Sequence, residues 1–512
     1  MRIGIDVGGT HTDAALLKGD KVIAATKALT SADVVSGISS ALDEILSIGG
    51  VKESQIETVM IGTTQFTNAV IERRSLTRMA AVRIGLPSGK GMPPMIDWPA
   101  DMKRAINAQV HMMHGGYLYD GHLLAELRDD EIKALIKDLK KEDIKNISIA
   151  SAFSPMNAEP EIKVAQAIKA AIPDAQLTLS HEFGRLGLME RENASILNTA
   201  LLLFAAKVVD AFQSALQKRG LKCPAYISQN DGTLMNSDFV RKFPALTFSS
   251  GPTNSLRGAF KLTGLEDAIV VDIGGTTSDI GVLQGGFPRE SNVVVDIGGI
   301  RTNFRMPDIM AIGLGGGSLV SENGQKVGPQ SVGHRLVKEG LVFGGETLTA
   351  TDIIVAAGDE DIGDAARVSG LDKQLVQTAK DTMHTMLDRT IEMMKPGGKN
   401  LPVILVGGGS VLVTEGLKAA SKLYRPENAG VANAIGAAIA QVGGEAERLL
   451  SLRNIAREDA IAQVTQAATM KAAAAGADMD TIRAIDIEET AMPYMDEGAV
   501  RIRVKVIGEL AT

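Results

Sequence analysis

Asp6, Gly8, Gly9, Thr10 and Thr12 stand close together in "IGIDVGGTHTDAAL", and Asp272, Gly274, Gly275, Thr276 and Thr277 recur in the same order in "IVVDIGGTTSDIGV". Each copy sets a carboxylate two residues before a glycine pair and hydroxyl side chains directly after it. Adjacent glycines admit close backbone approach and positive φ, and the N–H groups of such a turn suit an anion such as phosphate. Threonine hydroxyls add donors, with Thr10 and Thr276 in first position after the glycines. A carboxylate repels phosphate unless a cation lies between them. Mg²⁺ takes carboxylate and phosphate oxygens together, so Asp6 and Asp272 are read as its anchors. Asp13 and Asp279 also match between the copies and have the weaker role of bracing the turns. Gly298 and Gly299 in "VVVDIGGIRTNF" share the opening but carry Ile300 where the hydroxyl should be, as a plain turn would.

Both copies join two apolar runs, so each is the tip of a hairpin, and they lie about half the chain apart, as in two related lobes. Strand-like runs ("KVIAATKAL", "TVMIGTT", "NISIASAFS", "QLTLSHEF", "PVILVGGGS") alternate with helical patterns at 159–171 and 372–394. That alternation predicts α/β layers. Facing phosphate hairpins on related lobes are the arrangement of the actin, heat-shock chaperone and sugar-kinase superfamily, with ATP in the cleft. The expected fold is therefore two actin-like (ribonuclease H-like) lobes, 1–180 and 181–455, plus a small C-terminal appendage of helix and strand, 456–512. Within the appendage the alternation of "AVRIRVKVIG" predicts a half-exposed strand. Gly407, Gly408, Gly409 and Ser410, after the strand "VILV", are placed for the adenosine loop. Asn433 and Gly436 would let the next helix approach the nucleotide.

At 512 residues the chain exceeds the roughly 250–300 residues that one core supports. A net charge of −8 supplies no electrostatic footprint for nucleic acid or an anionic membrane. The single cysteine, Cys223, excludes an intrachain disulfide. No apolar run reaches the roughly 18 residues of a membrane span, and "ASILNTALLLFAAKVV" reads as a buried helix. The first strand-like run begins at once, without a signal peptide, so a cytoplasmic location is expected.

Three further clusters could do chemistry. Thr63, Thr64 and Asn68 follow a strand, where α/β clefts bind ligands, and would touch substrate or the γ-phosphate, or else cap a helix. "GGGS" at 315–318 is a second cleft loop or a turn. His111, His114 and His122, with Asp120 between them, carry the ligand types of a Zn²⁺ or Mn²⁺ site. Their glycine punctuation favours polar histidines around a hairpin.

The strings "GIDVGGTHTD", "GTTQFTNAVIER", "SPMNAEPE", "SHEFGRLGLMERENASILNTA", "SQNDGTLM", "SSGPTNSLRGA", "VDIGGTTSDIG", "DIMAIGLGGGS" and "VGPQSVGH" occur in this order along nearly the whole chain. Together they resemble the hydantoinase A/5-oxoprolinase family in its shorter form. The resemblance implies the A subunit of an ATP-dependent cyclic-amide hydrolase acting on a hydantoin or 5-oxoproline-like lactam. It also implies ATP and Mg²⁺ as cofactors and a B-type subunit as partner in a hetero-oligomer. An unstrained lactam is a poor electrophile, and phosphorylating its oxygen creates a leaving group. The rivals are a small-molecule kinase, a carboxylase subunit of the same superfamily, and a nucleotide switch without enzymatic activity.

Overall fold

The two glycine turns cap equivalent constructions. Arg2–Val7 runs antiparallel to His11–Lys18 and parallel to Thr58–Thr63, which sets Asp6 opposite Asp13 on one side and Gly62 on the other. Ala268–Ile273 runs antiparallel to Ser278–Gln284 and parallel to Val403–Val406, with Asp272 opposite Asp279 and Val406. The computed structural model describes residues 1–512 except 9, 10, 20, 30–33, 120, 184–186, 292–294, 305, 454, 493–497 and 512. Both central strands are aliphatic runs with buried flanks, as parallel strands between helical layers require.

The first construction lies in a sheet of nine strands, ordered Arg483–Ala491, Ala499–Gly508, Val442–Ser451, Leu234–Asn236, Ala225–Ser228, Thr58–Thr63, Arg2–Val7, His11–Lys18 and Lys21–Leu29. The second lies in a sheet ordered Phe287–Pro288, Ser278–Gln284, Ala268–Ile273, Val403–Val406 and Leu423–Tyr424, with Ile309–Ile312 also paired to Ser278–Gln284. A third, four-stranded parallel sheet (Gln109–His114, Ala80–Leu86, Asn146–Ser151, Gln176–Leu179) has its own core around Val82, Ile84, Ile147, Ile149, Leu139 and Ile168.

The sheets do not follow the boundaries expected from the repeat. Residues 225–236 and 442–508 contribute strands to the first sheet although they lie beyond residue 180. The expected half-exposed strand 499–508 is buried on both faces between two neighbours. Its charged positions are neutralised inside. Arg503 meets Glu290 at 2.9 Å and Glu445 at 3.2 Å, and Lys505 meets Asp231 at 3.0 Å. Helix Leu188–Lys218 is long and apolar enough to cross a membrane by length and composition, yet most of that stretch is buried, with Ile196, Leu197, Leu201 and Phe212 in the main core.

Two helices join the lobes, Ser250–Thr263 and Ala432–Ile439. A Cβ on Gly258 would lie 1.8 Å from Ala432 O, and one on Gly436 would lie 1.8 Å from Asn254 O. Gly436 therefore serves helix–helix contact rather than approach to a nucleotide. This packing brings Asn254, Ser255 and Asn433 between the two hairpins.

Candidate functional site

Asp6 ends the first strand at 4% exposure, so its charge has little water to stabilise it. Asn433 Nδ2 donates to Oδ2 at 3.0 Å, while Oδ1 is buried with no hydrogen-bond partner. Burial first, and then the nearby Asp13, push its carboxyl up to about 7, against the amides of Asn254 and Asn433. Asp272 ends the equivalent strand and accepts a hydrogen bond from Ser255 Oγ. Burial raises its pKa too, opposed by Ser255 and by the Lys27 ammonium. Asp279 is driven to about 7 by burial and by Asp272.

Lys27 comes from the third strand of the first sheet, in register with Asp13. Its ammonium donates to Asp13 Oδ2 at 2.9 Å and to Gly430 O at 3.1 Å, which ties the first lobe to the second. Asp13, Lys27, Ser255, Asp272, Gly408 and Asn433 line a cavity of about 160 Å³ between the lobes. Asp6 lies behind its wall, joined through Asn433. The volume suits phosphate groups better than a whole nucleotide, since sites for complete small molecules run to about 300–1,000 Å³.

The second turn is closed by Gly274 N donating to Thr277 O at 2.9 Å. Neither Gly274 nor Gly275 has positive φ, contrary to expectation; the left-handed residue is Gly407, at φ +83°. A Cβ on Gly407 would fall 2.2 Å from Asp272 Oδ1, so this glycine makes room for the carboxylate. Gly408 faces the cavity beside Lys27. Gly409 N donates instead to Ile273 O at 2.7 Å, and Ser410 is buried, with its carbonyl accepting from Arg425 Nη2 at 2.8 Å. Those two positions of the expected adenosine loop brace the turn. The "GGGS" loop is a buttress as well: Gly316 N and Gly317 N donate to Gly274 O and Gly275 O at 3.1 and 2.8 Å.

Thr276 and Thr277 are exposed at the second tip. Thr12 and its counterpart Ser278 are fully buried, and Ser278 Oγ donates to Leu314 O at 2.6 Å, so this pair faces the interior. Gly8 is partly exposed; Gly9 and Thr10 lie outside the described residues. Thr63 is buried and its hydroxyl accepts from Gln65 N at 3.2 Å. Thr64 Oγ1 donates to Val7 O at 3.4 Å, which places it and Asn68 at the edge of the first hairpin.

The histidines do not assemble a metal site. His111 lies near Asp138, whereas His114 Nδ1 bonds Glu131 Oε1 at 2.7 Å. Glu131 and Asp138 are two turns apart on helix Asp129–Lys141, roughly 10 Å along its axis. His122 is exposed, and Asp120 lies outside the described residues. Among the described residues no group of three metal-ligating side chains comes together.

Lys27, Asn254 and Ser255 were not singled out by their residue types. Asn254 and Ser255 lie inside "SSGPTNSLRGA", and Lys27 becomes visible once the hairpin register sets it across from Asp13. The sequence also hid a buried polar cluster in "SHEFGRLGLMEREN". Glu161 accepts from Ser151 N at 2.8 Å and pairs with His181 Nδ1 at 2.7 Å, while Arg191 Nε donates to Ser180 Oγ at 3.0 Å.

Equivalent hairpins on two sheets, each carrying an aspartate near the end of its first strand and enclosing a cavity between them, define an actin-like ATPase-type fold. Solved structures carry the same fold. An ATP-dependent caprolactamase from Pseudomonas jessenii superposes with a TM-score of 0.79 at 18% identity, covering 100% of this chain and 88% of that one. A nucleotide-free acetone carboxylase gives 0.68 at 18% identity with the same coverage. Residues 2–172 match the hydantoinase/oxoprolinase N-terminal region and 191–362 match hydantoinase/oxoprolinase, so the chain belongs to the hydantoinase/oxoprolinase family. Caprolactamase subunit alpha of Pseudomonas jessenii is 25% identical over 75% of this chain and 58% of its own length. The acetophenone carboxylase gamma subunit of Aromatoleum aromaticum is 25% identical over 70% of this chain and 53% of its own. The chain thus spans rather more than half the length of the curated relatives it matches.

Proposed function

We propose that this chain is the nucleotide-using A subunit of an ATP-dependent cyclic-amide hydrolase, which phosphorylates the amide oxygen of a lactam so that a B-type subunit can complete ring opening. The observation that carries the reading is the cavity between the lobes. It collects Asp272, Lys27 and two glycine loops, with the unpartnered Asp6 Oδ1 close behind. Family membership and the likeness to a caprolactamase subunit support the choice of a cyclic amide.

A buried carboxylate oxygen without a donor suits a hard cation, so Asp6 would offer Mg²⁺ its Oδ1 and Asp272 the carboxylate that lines the cavity. When bound, that ion supplies charge neutralisation for the transferring phosphoryl group. Lys27 places a fixed cation at the same cavity, and its bond to Gly430 O keeps the lobes in register. The exposed Thr276 and Thr277 would supply hydroxyl donors at the second tip, and Thr64 would position the substrate at the edge of the first hairpin.

A second reading, a carboxylase subunit acting on a ketone, is favoured by the acetophenone carboxylase relative. Both readings are tested by measuring ATP turnover with hydantoins, 5-oxoproline, simple lactams and aryl ketones, with and without the B-type subunit. Stimulation by a lactam, with opened ring as product, upholds the hydrolase. Stimulation only by a ketone with bicarbonate replaces it by the carboxylase, and accumulation of a stable phosphorylated product replaces it by a kinase.

A further inference from the structure

The two helices that join the lobes carry the same device. On Ser250–Thr263, Ser255 stands three residues before Gly258, and on Ala432–Ile439, Asn433 stands three residues before Gly436. Positions three apart share a helix face. Each helix therefore sets a polar side chain about one turn ahead of the glycine at which the pair cross. The first helix lies on the second sheet, where Leu256 and Ala259 pack with Ala268, Val270 and Ile404. The second lies on the first sheet, where Ala434, Ile435 and Ala438 pack with Ala15 and Leu17. Each thus reaches the hairpin aspartate of the sheet it covers.

What the polar residues do there follows from the geometry of a carboxyl group. The torsion that turns it is broad and roughly two-fold, so one hydrogen bond to one oxygen decides where the other oxygen stands. Ser255 Oγ donates to Asp272 Oδ2, which leaves Oδ1 beside the cavity-lining Gly407, where a Cβ would be only 2.2 Å away. Asn433 Nδ2 donates to Asp6 Oδ2 at 3.0 Å, which leaves Oδ1 with no hydrogen-bond partner. The Asn433 amide is itself fixed, because its Oδ1 accepts from Ala434 N at 2.9 Å. Only its donor end can meet Asp6. Both donors also line the cavity between the lobes.

We infer that Ser255 and Asn433 are positioning residues of the nucleotide site, each fixing one oxygen of a hairpin aspartate so that the other is presented to the Mg²⁺ that accompanies ATP. The inference rests on the nucleotide part of the proposed function and adds the residues that aim its anchors. Mg²⁺ demands near-ideal octahedral geometry, so a carboxylate free to turn serves it less well than one held in place.

Calorimetric titration of the full chain with a non-hydrolysable ATP analogue, once with excess Mg²⁺ and once with EDTA, measures the affinity that the metal adds. In Ser255→Ala and in Asn433→Ala this gain should fall by about five-fold or more, since partners that orient metal ligands are commonly worth about 10–100-fold. Both aspartates and their repulsion toward nucleotide remain, so affinity in EDTA should not change. Turnover at saturating ATP should fall by about ten-fold in each variant. Ser255→Thr keeps the donor and should recover most of both. Thr253→Val is the control: it removes the bonds of Thr253 Oγ1 to Asn230 O and Ser249 O, at 2.9 and 3.1 Å, from the same helix without touching an aspartate. Its metal-dependent gain should match that of the parent chain. An unchanged gain in both alanine variants, an equal loss in Thr253→Val, or a folded Ser255→Thr that recovers nothing overturns the inference. Loss of the gain in the alanine variants, with no lactam stimulating turnover, upholds the positioning role and removes the lactam from the proposed function. Lactam-stimulated turnover with the gain intact in those variants does the reverse, and a parent chain that binds equally in Mg²⁺ and EDTA removes both.

Discussion

Gly62 leaves open the space that the Asp6 carboxylate fills: a Cβ there would stand 2.2 Å from Oδ1. The same relationship links Gly407 and Asp272. Each lobe thus keeps a side-chain-free residue on the parallel strand, or just after it, so that a carboxylate can sit near the end of its neighbour. Gly407 also needs its left-handed backbone, so Gly62 is the cleaner position to test. Gly62→Ala should keep the circular dichroism spectrum and lower ATP turnover by about ten-fold or more, equivalent to roughly 1.4 kcal/mol of transition-state stabilisation. Normal turnover in a folded variant would detach Asp6 from the chemistry.

Replacement of the carboxylates themselves separates catalysis from binding. Asp6→Asn and Asp272→Asn should each reduce turnover by about 10²-fold, roughly 2.7 kcal/mol, with a much smaller change in the ATP dissociation constant. Removing a carboxylate takes away a metal anchor and also some repulsion toward the nucleotide, so affinity is buffered where rate is not. Loss of affinity with unchanged turnover at saturation would make both residues scaffold.

Lys27→Met removes the cation that spans the lobes. Nucleotide affinity should fall by about five- to ten-fold, and its dependence on salt should weaken, because one charge contact is gone. Titrations at two ionic strengths check this. An unchanged salt slope would mean that Lys27 serves only to hold Asp13.

The two glycine loops differ in what they tolerate. A Cβ on Gly275 meets nothing within 4 Å, whereas one on Gly315 would stand 2.5 Å from Thr276 N. Gly275→Ala should therefore change stability by no more than about 0.5 kcal/mol. Gly315→Ala should cost about 1–3 kcal/mol through overpacking. Denaturant unfolding distinguishes them, and equal stabilities would refute the assigned packing of the "GGGS" loop on the hairpin.

Glu161 supplies a pH test away from the cleft. Burial acts to raise its pKa, but the hydrogen bond and charge of His181, with Ser180 and Arg191, outweigh it and hold the carboxyl below its ordinary 4.5. A carboxyl depressed by folding stabilises the native state above its unfolded pKa, and that contribution fades as pH falls through the folded value. Glu161→Gln should destabilise by about 2–4 kcal/mol at pH 7, with a gap that narrows below pH 4.5. A gap that stays constant or widens in acid contradicts the assignment.

The sequence alone determined the two hairpins and the aspartates that end their first strands, because a glycine pair flanked by a carboxylate and hydroxyls is a local device. Its duplication half a chain apart already implied two lobes. Helices 159–171 and 373–394 were equally legible, since periodicity records which face is buried. Only the tertiary structure decided which strands complete each sheet. The pairing of 442–508 with the first lobe depends on edges far apart in sequence, and the alternation of Arg503 and Lys505 read as exposure because their carboxylate partners lie on other segments. The histidines failed for the same reason in reverse: closeness along the chain does not bring His111 and His114 to one point when each faces a different turn of the packed helix. Lys27, Ser255 and Asn433 entered the cavity only when two helices, stripped to glycine at their crossing, closed the lobes on one another. Sequence spacing fixes what a turn can hold, and long-range packing chooses what stands opposite it.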